Sequence, residues 1–257
     1  MSPTEIICLA LAAMAAGLIN AVAGGGTMIT FPVLLLFGTA PVTANATSTV
    51  ALVIGTAGSI FGFRGHMAVI KPWLSRFLPV SILGGWLGSM MLTRTSDEAF
   101  ARLVPFLILF ATVLFFAQGA FRRFSRREAL GASSKGRGVW VAVAFQFAVA
   151  IYGGYFGAGI GILMLASLGF LGMADIHEMN TLKNVLGSLI NLVASAVFVA
   201  SGIVDWSRAG VMTVGALVGY YAGAHLSQRI PQQYVRHIIT GIGVVISGVM
   251  FYKQFVR

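Results

Sequence analysis

A chain of 257 residues, 58% hydrophobic and only 9% charged, with a mean hydropathy of +0.90, cannot cover a water-facing surface, since an ordinary soluble domain is about one-quarter charged. Its surface must face lipid, which excludes a soluble globular domain and predicts an all-α, polytopic membrane protein, with residues 1–257 as one membrane domain. The net charge of +10 does not point to nucleic acid, because Arg122, Arg123, Arg126, Arg127, Lys135 and Arg137 lie together between two apolar blocks, as in a cytoplasmic loop under the positive-inside rule.

Apolar segments follow one another along the chain. The first, about 4–23, carries an "AVA" at Ala21 to Ala23 that looks like a cleavage site, but residues 1–5 hold Glu5 and no basic residue, so a retained segment is expected. Cys8, the single cysteine, lies within it and excludes an intrachain disulfide. Segments at about 28–38, 47–63, 74–93 and 103–121 complete a first set of five. A basic linker at 122–138 leads to a second set at about 139–157, 160–171, 182–200, 209–226 and 235–252. The second member of each set falls short of the roughly 20 residues that span a bilayer. It is expected to be tilted, broken or re-entrant, giving eight to ten spanning or re-entrant segments in all. Trp73, Trp86, Trp140 and Trp206 mostly mark segment ends, as an interfacial aromatic belt does.

The two sets resemble each other. A shift of about 134 to 137 residues brings Gly25 onto Gly159, Asn45 onto Asn180, Gly84 onto Gly219, Gly88 onto Gly223 and Arg102 onto Arg236. This predicts a repeat at 1–121 and a second at 139–257. If the first two segments of a set both cross, the set has five spans; if both re-enter, it has three. Either number is odd, so the repeats are expected to be inverted. Arg64, Lys71 and Arg76 share a side with the basic linker, whereas the matching loop of the second half carries Arg208 alone. The linker is thus expected in the cytoplasm and both termini outside, a placement that Lys253 and Arg257 oppose weakly.

Each half opens with a glycine cluster, "AGGGT" at Ala23 to Thr27 and "GAGIG" at Gly157 to Gly161. The second lacks the spacing and the strand-to-helix setting of a dinucleotide fingerprint. Two readings stay open: close helix packing through small residues, or a helix broken within the membrane whose freed backbone amides receive an anion.

In "NTLKNVLGSLIN", Asn180, Lys183, Asn184, Gly187, Ser188 and Asn191 recur at spacings of three and four and share one helical face. The matching helix repeats the stripe with Asn45, Ser48, Thr49, Leu52, Thr56 and Ser59, but has no cation. A lysine near the bilayer centre costs about 2.5 to 3.5 kcal/mol on insertion scales. Lys183 either faces a cavity lined by amides and hydroxyls, suited to a small oxyanion, or snorkels to the headgroups and pairs with Asp175 or Glu178. Asn20, before the first cluster, and Gln146 and Tyr152, before the second, are divided between a site role and helix-to-helix hydrogen bonds. His66 and Asp205 suit interfacial structural roles, and His225 suits packing.

The stretch "GLINAVAGGGTMITFPVLL" from Gly17, followed by "ANATSTVAL" from Ala44, resembles the first repeat of the sulfite exporter TauE/SafE family, also called the toluene sulfonate uptake permease family, and the likeness covers nearly the whole chain. The resemblance implies a bacterial inner-membrane carrier of sulfite, sulfonates, thiosulfate or related small anions, built from duplicated halves. It points to Gly24, Gly25, Gly26, Asn45, Thr47, Ser48, Asn180, Thr181 and Lys183 as substrate-binding positions. The chain departs from a symmetric pattern where Ala158 and Ile160 interrupt the second cluster, and where Ala166 stands opposite Pro32.

The expected function is a secondary transporter that exports a small sulfur-containing anion, sulfite foremost, by alternating access. Lys183 supplies charge, Asn45, Ser48, Thr49, Asn180, Asn184 and Asn191 supply donors, and the glycine breaks supply amides. A proton-coupled importer of thiosulfate or an organosulfonate, with Glu178 or Asp175 carrying the proton, is the first alternative. A non-transporting membrane scaffold is the second. An intramembrane protease is disfavoured because Asp97, Asp175 and Asp205 sit at segment ends or loops. No cofactor or metal is expected; the partners are a small anion and lipid, and the oligomeric state, a homo-oligomer included, is left open.

Overall fold

The computed structural model describes residues 1–22, 25–62, 67–128, 137–170, 173, 176–226 and 232–255. It is all-helical among these. The helices are α1 (Pro3–Val22), α2 (Thr27–Leu36), α3 (Pro41–Gly62), α4 (Met67–Thr93), α5 (Asp97–Glu128), α6 (Arg137–Tyr155), α7 (Ile160–Phe170), α8 (Ile176–Ala200), α9 (Trp206–Leu226) and α10 (Gln232–Phe255). By length and composition Pro3–Ala21, Asp97–Ala117 and Glu178–Ala200 can each cross a membrane. The chain is therefore a polytopic helical membrane protein.

Several helices run past their apolar segments. Hydropathy stops where lipid stops, but backbone hydrogen bonding does not, so α4 begins at Met67 and carries Pro72 and Pro79, and α5 continues through Arg122–Arg127 to Glu128. These arginines lie on a helix rather than in a loop. At its other end α5 starts with Asp97 and Glu98 in the first turn, where carboxylates suit the positive end of the helix dipole. Ser96 Oγ accepts from the Ala99 amide at 3.3 Å, and Asp97 Oδ1 accepts from the Val42 amide at 2.9 Å, tying the starts of α5 and α3 together.

The helices of the two halves interleave. The most extensive pairing joins α1 to α9, and the next joins α4 to α6; α3 also packs on α8, and α5 on α10. Glycines permit the two closest pairs. A Cβ on Gly215 would run into the Ala10 carbonyl, one on Gly219 into the Met14 carbonyl, and one on Gly223 would lie 3.0 Å from Leu18 Cα. Contacts that advance together along both chains mean that α1 and α9 run parallel. In the other pair, Gly84 meets Ala150 and Gly88 meets the Ile151 carbonyl. Four-residue glycine spacing lets backbones approach in a lipid environment, where dispersion rather than hydrophobicity drives helix association. Gly219→Val should force α1 and α9 apart, at about 1 to 3 kcal/mol for overpacking. Gly210 has nothing within 4 Å of its would-be Cβ, so Gly210→Val should leave the thermal midpoint in detergent near that of the parent while Gly219→Val lowers it.

One end of the bundle gathers the starts of α1, α3 and α9 and the ends of α2 and α8. Arg208 Nε donates to Glu5 Oε1 at 2.8 Å, Nη1 to Asp205 Oδ2 at 2.8 Å and Nη2 to the Phe37 carbonyl at 3.3 Å. The Asp205 amide donates to Thr47 Oγ1 at 3.0 Å. Asp205 thus has a structural part at the bundle end. Outward, α5 leaves Leu103, Phe106, Phe110 and Val113, one helical face, about half exposed, as a helix at a lipid boundary does, with Phe106 and Phe110 packed edge-on against Phe251 and Tyr152.

Candidate functional site

The first glycine break follows α1. Gly25 has φ +96°, a conformation that glycine adopts without penalty, and Gly26 precedes α2. Asn20 braces this turn: its Oδ1 accepts from the Gly26 amide at 2.7 Å, and its Nδ2 donates to the Tyr220 hydroxyl at 2.9 Å. The Tyr220 hydroxyl reaches the Leu52 carbonyl at 3.5 Å, and its ring occupies the space that a Cβ on Gly55 would need. Behind the turn, Thr30 Oγ1 and Ser48 Oγ share a hydrogen bond of 2.5 Å. The amides of Met28 and Ile29 are bonded to the carbonyls of Gly25 and Gly26 at 3.0 and 2.9 Å. In this conformation the first break is closed upon itself. Its Gly26 amide and Asn20 amide group serve each other rather than a ligand.

The second break is built differently. Gly157 and Gly159 have φ +82° and +78°, and the Tyr152 hydroxyl donates to the Ala158 carbonyl at 2.8 Å between them. The chain then enters α7, where the Ile162 amide donates to the Gly159 carbonyl at 3.0 Å, as the Met28 amide does to Gly25 in the first break, while the amides of Ile160 and Gly161 have no backbone acceptor among the described residues. The side chain of Lys183 lies across this start: a Cβ on Gly161 would be 3.2 Å from Lys183 Cδ and 3.7 Å from Cγ. Its Nζ donates to Asn180 Oδ1 at 3.4 Å, and among the described residues it forms no ion pair. A cation set beside the positive end of a helix dipole raises local potential from two sources. An anion is the species that both would bind.

The rest of the α8 stripe lines the same region. Among the described residues the side chains of Asn184 and Asn191 have no hydrogen bond, and Asn191 Oδ1 is 3.9 Å from a would-be Cβ on Gly157. Gly187, one turn beyond Lys183, has nothing within 4 Å of its would-be Cβ, so space is left along the stripe. Asn45 reaches across from α3: its Nδ2 donates to the Tyr155 carbonyl at 3.0 Å, while its buried Oδ1 has no partner. Thr181 is buried and engaged, as is Ser188.

The structure thus gathers Asn180, Lys183, Asn191 and Asn45 about the second break, with Asn184 on the same face of α8, and Asn20, Gly25, Gly26 and Ser48 about the first. Thr47 is bonded to Asp205, and Thr49 Oγ1 donates to the carbonyl of Asn45 in its own helix at 2.8 Å. Gln146 makes a helix-to-helix bond, its Nε2 donating to Ser81 Oγ at 3.0 Å. Gly24, His66 and Asp175 lie outside the described residues, as does the side chain of His225. Phe115 of α5 was not legible beforehand. Its fully buried ring fills the place of a Cβ on Gly25 and lies 3.7 Å from that of Gly159, so the two breaks meet on one aromatic side chain. Among the described residues no three metal-ligating side chains come together.

Known proteins bear on this arrangement. The chain is 27% identical over 240 residues to a "Probable membrane transporter protein" of Haemophilus influenzae, covering 93% of this chain and 91% of that protein. It is 23% identical over 254 residues to the "Probable membrane transporter protein YfcA" of Escherichia coli (strain K12), covering 99% and 92%. A "Probable membrane transporter protein ORF9" of a Sinorhizobium species is 24% identical over 256 residues, covering 93% and 89%. No solved structure matches the chain significantly. The family model described as "Sulfite exporter TauE/SafE" matches residues 9–250. The match takes in both glycine breaks, both polar stripes and all but the outermost turns of the bundle; the chain belongs to the sulfite exporter TauE/SafE family and is a membrane transporter, not an enzyme.

Proposed function

We propose that this transporter exports a small sulfur oxyanion, sulfite foremost, across the bacterial cytoplasmic membrane by alternating access, with the anion held at the second glycine break. The observation that carries this reading is Lys183, lying without an ion pair among the described residues across the start of α7. Asn184 and Asn191 supply uncommitted amide donors beside it, and the open space at Gly187 gives the ligand room. A membrane potential negative inside favours anion exit by about 2.3 kcal/mol per charge per 100 mV, so export needs no coupling ion.

Inverted repeats give such a carrier two exchangeable states. In support, Thr47, near the start of α3, is bonded to Asp205, just past the end of α8, so these corresponding helices run in opposite directions. With the basic end of α5 in the cytoplasm, both termini lie outside. The first break, braced by Asn20, and the second, crossed by Lys183, then describe one end state of the cycle.

A ligand panel on the purified protein tests the reading. Sulfite should raise the thermal midpoint, thiosulfate less, and taurine and acetate not at all, because bound ligand stabilises the folded state by mass action. A response to taurine but not to sulfite would overturn the substrate, and the absence of any anion response would overturn the site.

A further inference from the structure

On the flank of the bundle where α4 and α6 begin, a cleft of about 670 Å³ opens between the two helices. It is lined by Val80 of α4 and Val139 and Val143 of α6, together with Trp73, Ser75, Arg76 and Trp140. Trp140 is 75% exposed, and Trp73 is fixed from behind by stacking on buried Phe77 at 6.2 Å between ring centroids. The Arg76 guanidinium stands over the Trp73 ring, 6.0 Å from its centroid. This cation–π contact holds the side chain at the cleft mouth without neutralising it. Arg76 makes no ion pair among the described residues.

These features sort by depth. Two tryptophans mark the headgroup level with Val139 beside Trp140, Val80 lies two turns past Trp73 and Val143 nearly one turn past Trp140, and Arg76 stands one turn past Trp73. The same end of the bundle carries the basic terminus of α5, so it faces a leaflet whose anionic lipids a positive protein surface attracts. A soluble anion would meet three apolar walls, whereas a lipid satisfies both halves of the cleft. We infer that this cleft binds one anionic phospholipid of the cytoplasmic leaflet, its phosphate on Arg76, its glycerol region between Trp73, Val139 and Trp140, and an acyl chain along Val80 and Val143. The site is separate from the glycine breaks and stands whether or not the anion proposal does.

The test measures lipid-dependent stabilisation of the full chain in detergent, adding dioleoylphosphatidylglycerol, dioleoylphosphatidylcholine, dioleoylglycerol or inorganic phosphate. Phosphatidylglycerol should stabilise the parent more than the other three. Arg76→Gln, an exposed substitution, should weaken the phosphatidylglycerol response roughly fivefold, the equivalent of about 1 kcal/mol for one basic residue at a lipid surface. Arg76→Lys should restore part of it, and Trp140→Ser should weaken it with the charge intact. Equal responses in the parent and Arg76→Gln would overturn the inference. So would equal stabilisation by dioleoylglycerol, which lacks the phosphate, or by inorganic phosphate, which lacks the chains.

Discussion

Lys183→Gln should abolish sulfite-dependent stabilisation and sulfite efflux from proteoliposomes while leaving the ligand-free protein at least as stable as the parent. The lysine packs its stem on Gly161 and extends its ammonium toward Asn180 without an ion pair among the described residues. In the ligand-free state that charge is a burden, since an ammonium in an apolar bundle is poorly solvated. In the liganded state it makes a charge-assisted hydrogen bond worth about 1.5 to 3 kcal/mol, or roughly ten- to a hundredfold in affinity. Glutamine keeps the hydrogen-bonding capacity and much of the length but removes the charge, so the two effects should separate. Lys183→Arg should retain binding in part, its guanidinium being broader than the space over Gly161 favours. Asn184→Leu and Asn191→Leu each remove a neutral donor and should cost less, about 0.5 to 1.5 kcal/mol of affinity. If the lysine merely snorkelled, Lys183→Gln would bind and export sulfite like the parent, and that result would end its assigned role.

What could be read in advance was what depends on periodicity. The apolar segments foretold each helix in order, and the three- and four-residue spacing placed Asn180, Lys183, Asn184 and Asn191 on one face before any neighbour was known. Gly84 and Gly88 could be matched to Gly219 and Gly223 by a shift of 135 residues along the sequence, and both pairs serve close helix packing. Periodicity gives a face, however, and not what that face meets. Asn20 and Tyr220 are bonded across 200 positions, and Glu5 and Arg208 across 203, distances over which no local pattern operates. Ser48 was expected among the ligand's neutral donors, but its hydroxyl pairs with that of Thr30 on α2. The two halves also differ where their sequences align best. Tyr220 fills the hollow at Gly55, whereas at the corresponding place Gly85 lies against Ile190, so bulk and hollow have changed sides. Such an exchange keeps the packed volume while leaving a polar hydroxyl on one side alone.

The second large effect concerns the meeting of the breaks on Phe115. Gly25→Ala carries two costs: a left-handed φ of +96°, at about 1 to 2 kcal/mol for a residue with a Cβ, and a collision with the buried Phe115 ring, at about 1 to 3 kcal/mol. Gly159→Ala carries the first cost only, because its nearest neighbours lie at 3.6 Å or beyond, an ordinary contact. Phe115→Ala empties a large buried space and should itself cost about 3 to 5 kcal/mol. Combining it with Gly25→Ala removes the collision, so the double variant should be more stable than the two single losses predict, by roughly 1 to 3 kcal/mol. Combined with Gly159→Ala it should be additive. Thermal midpoints of the parent, the three single variants and the two doubles decide the matter. Additivity in both pairs would mean that Phe115 is a filler rather than a shared stop. Coupling at Gly25 alone would mean that the ring is a stop for the first break and not for the second, an asymmetry that matches the stripe cation, Lys183, standing in the second half alone.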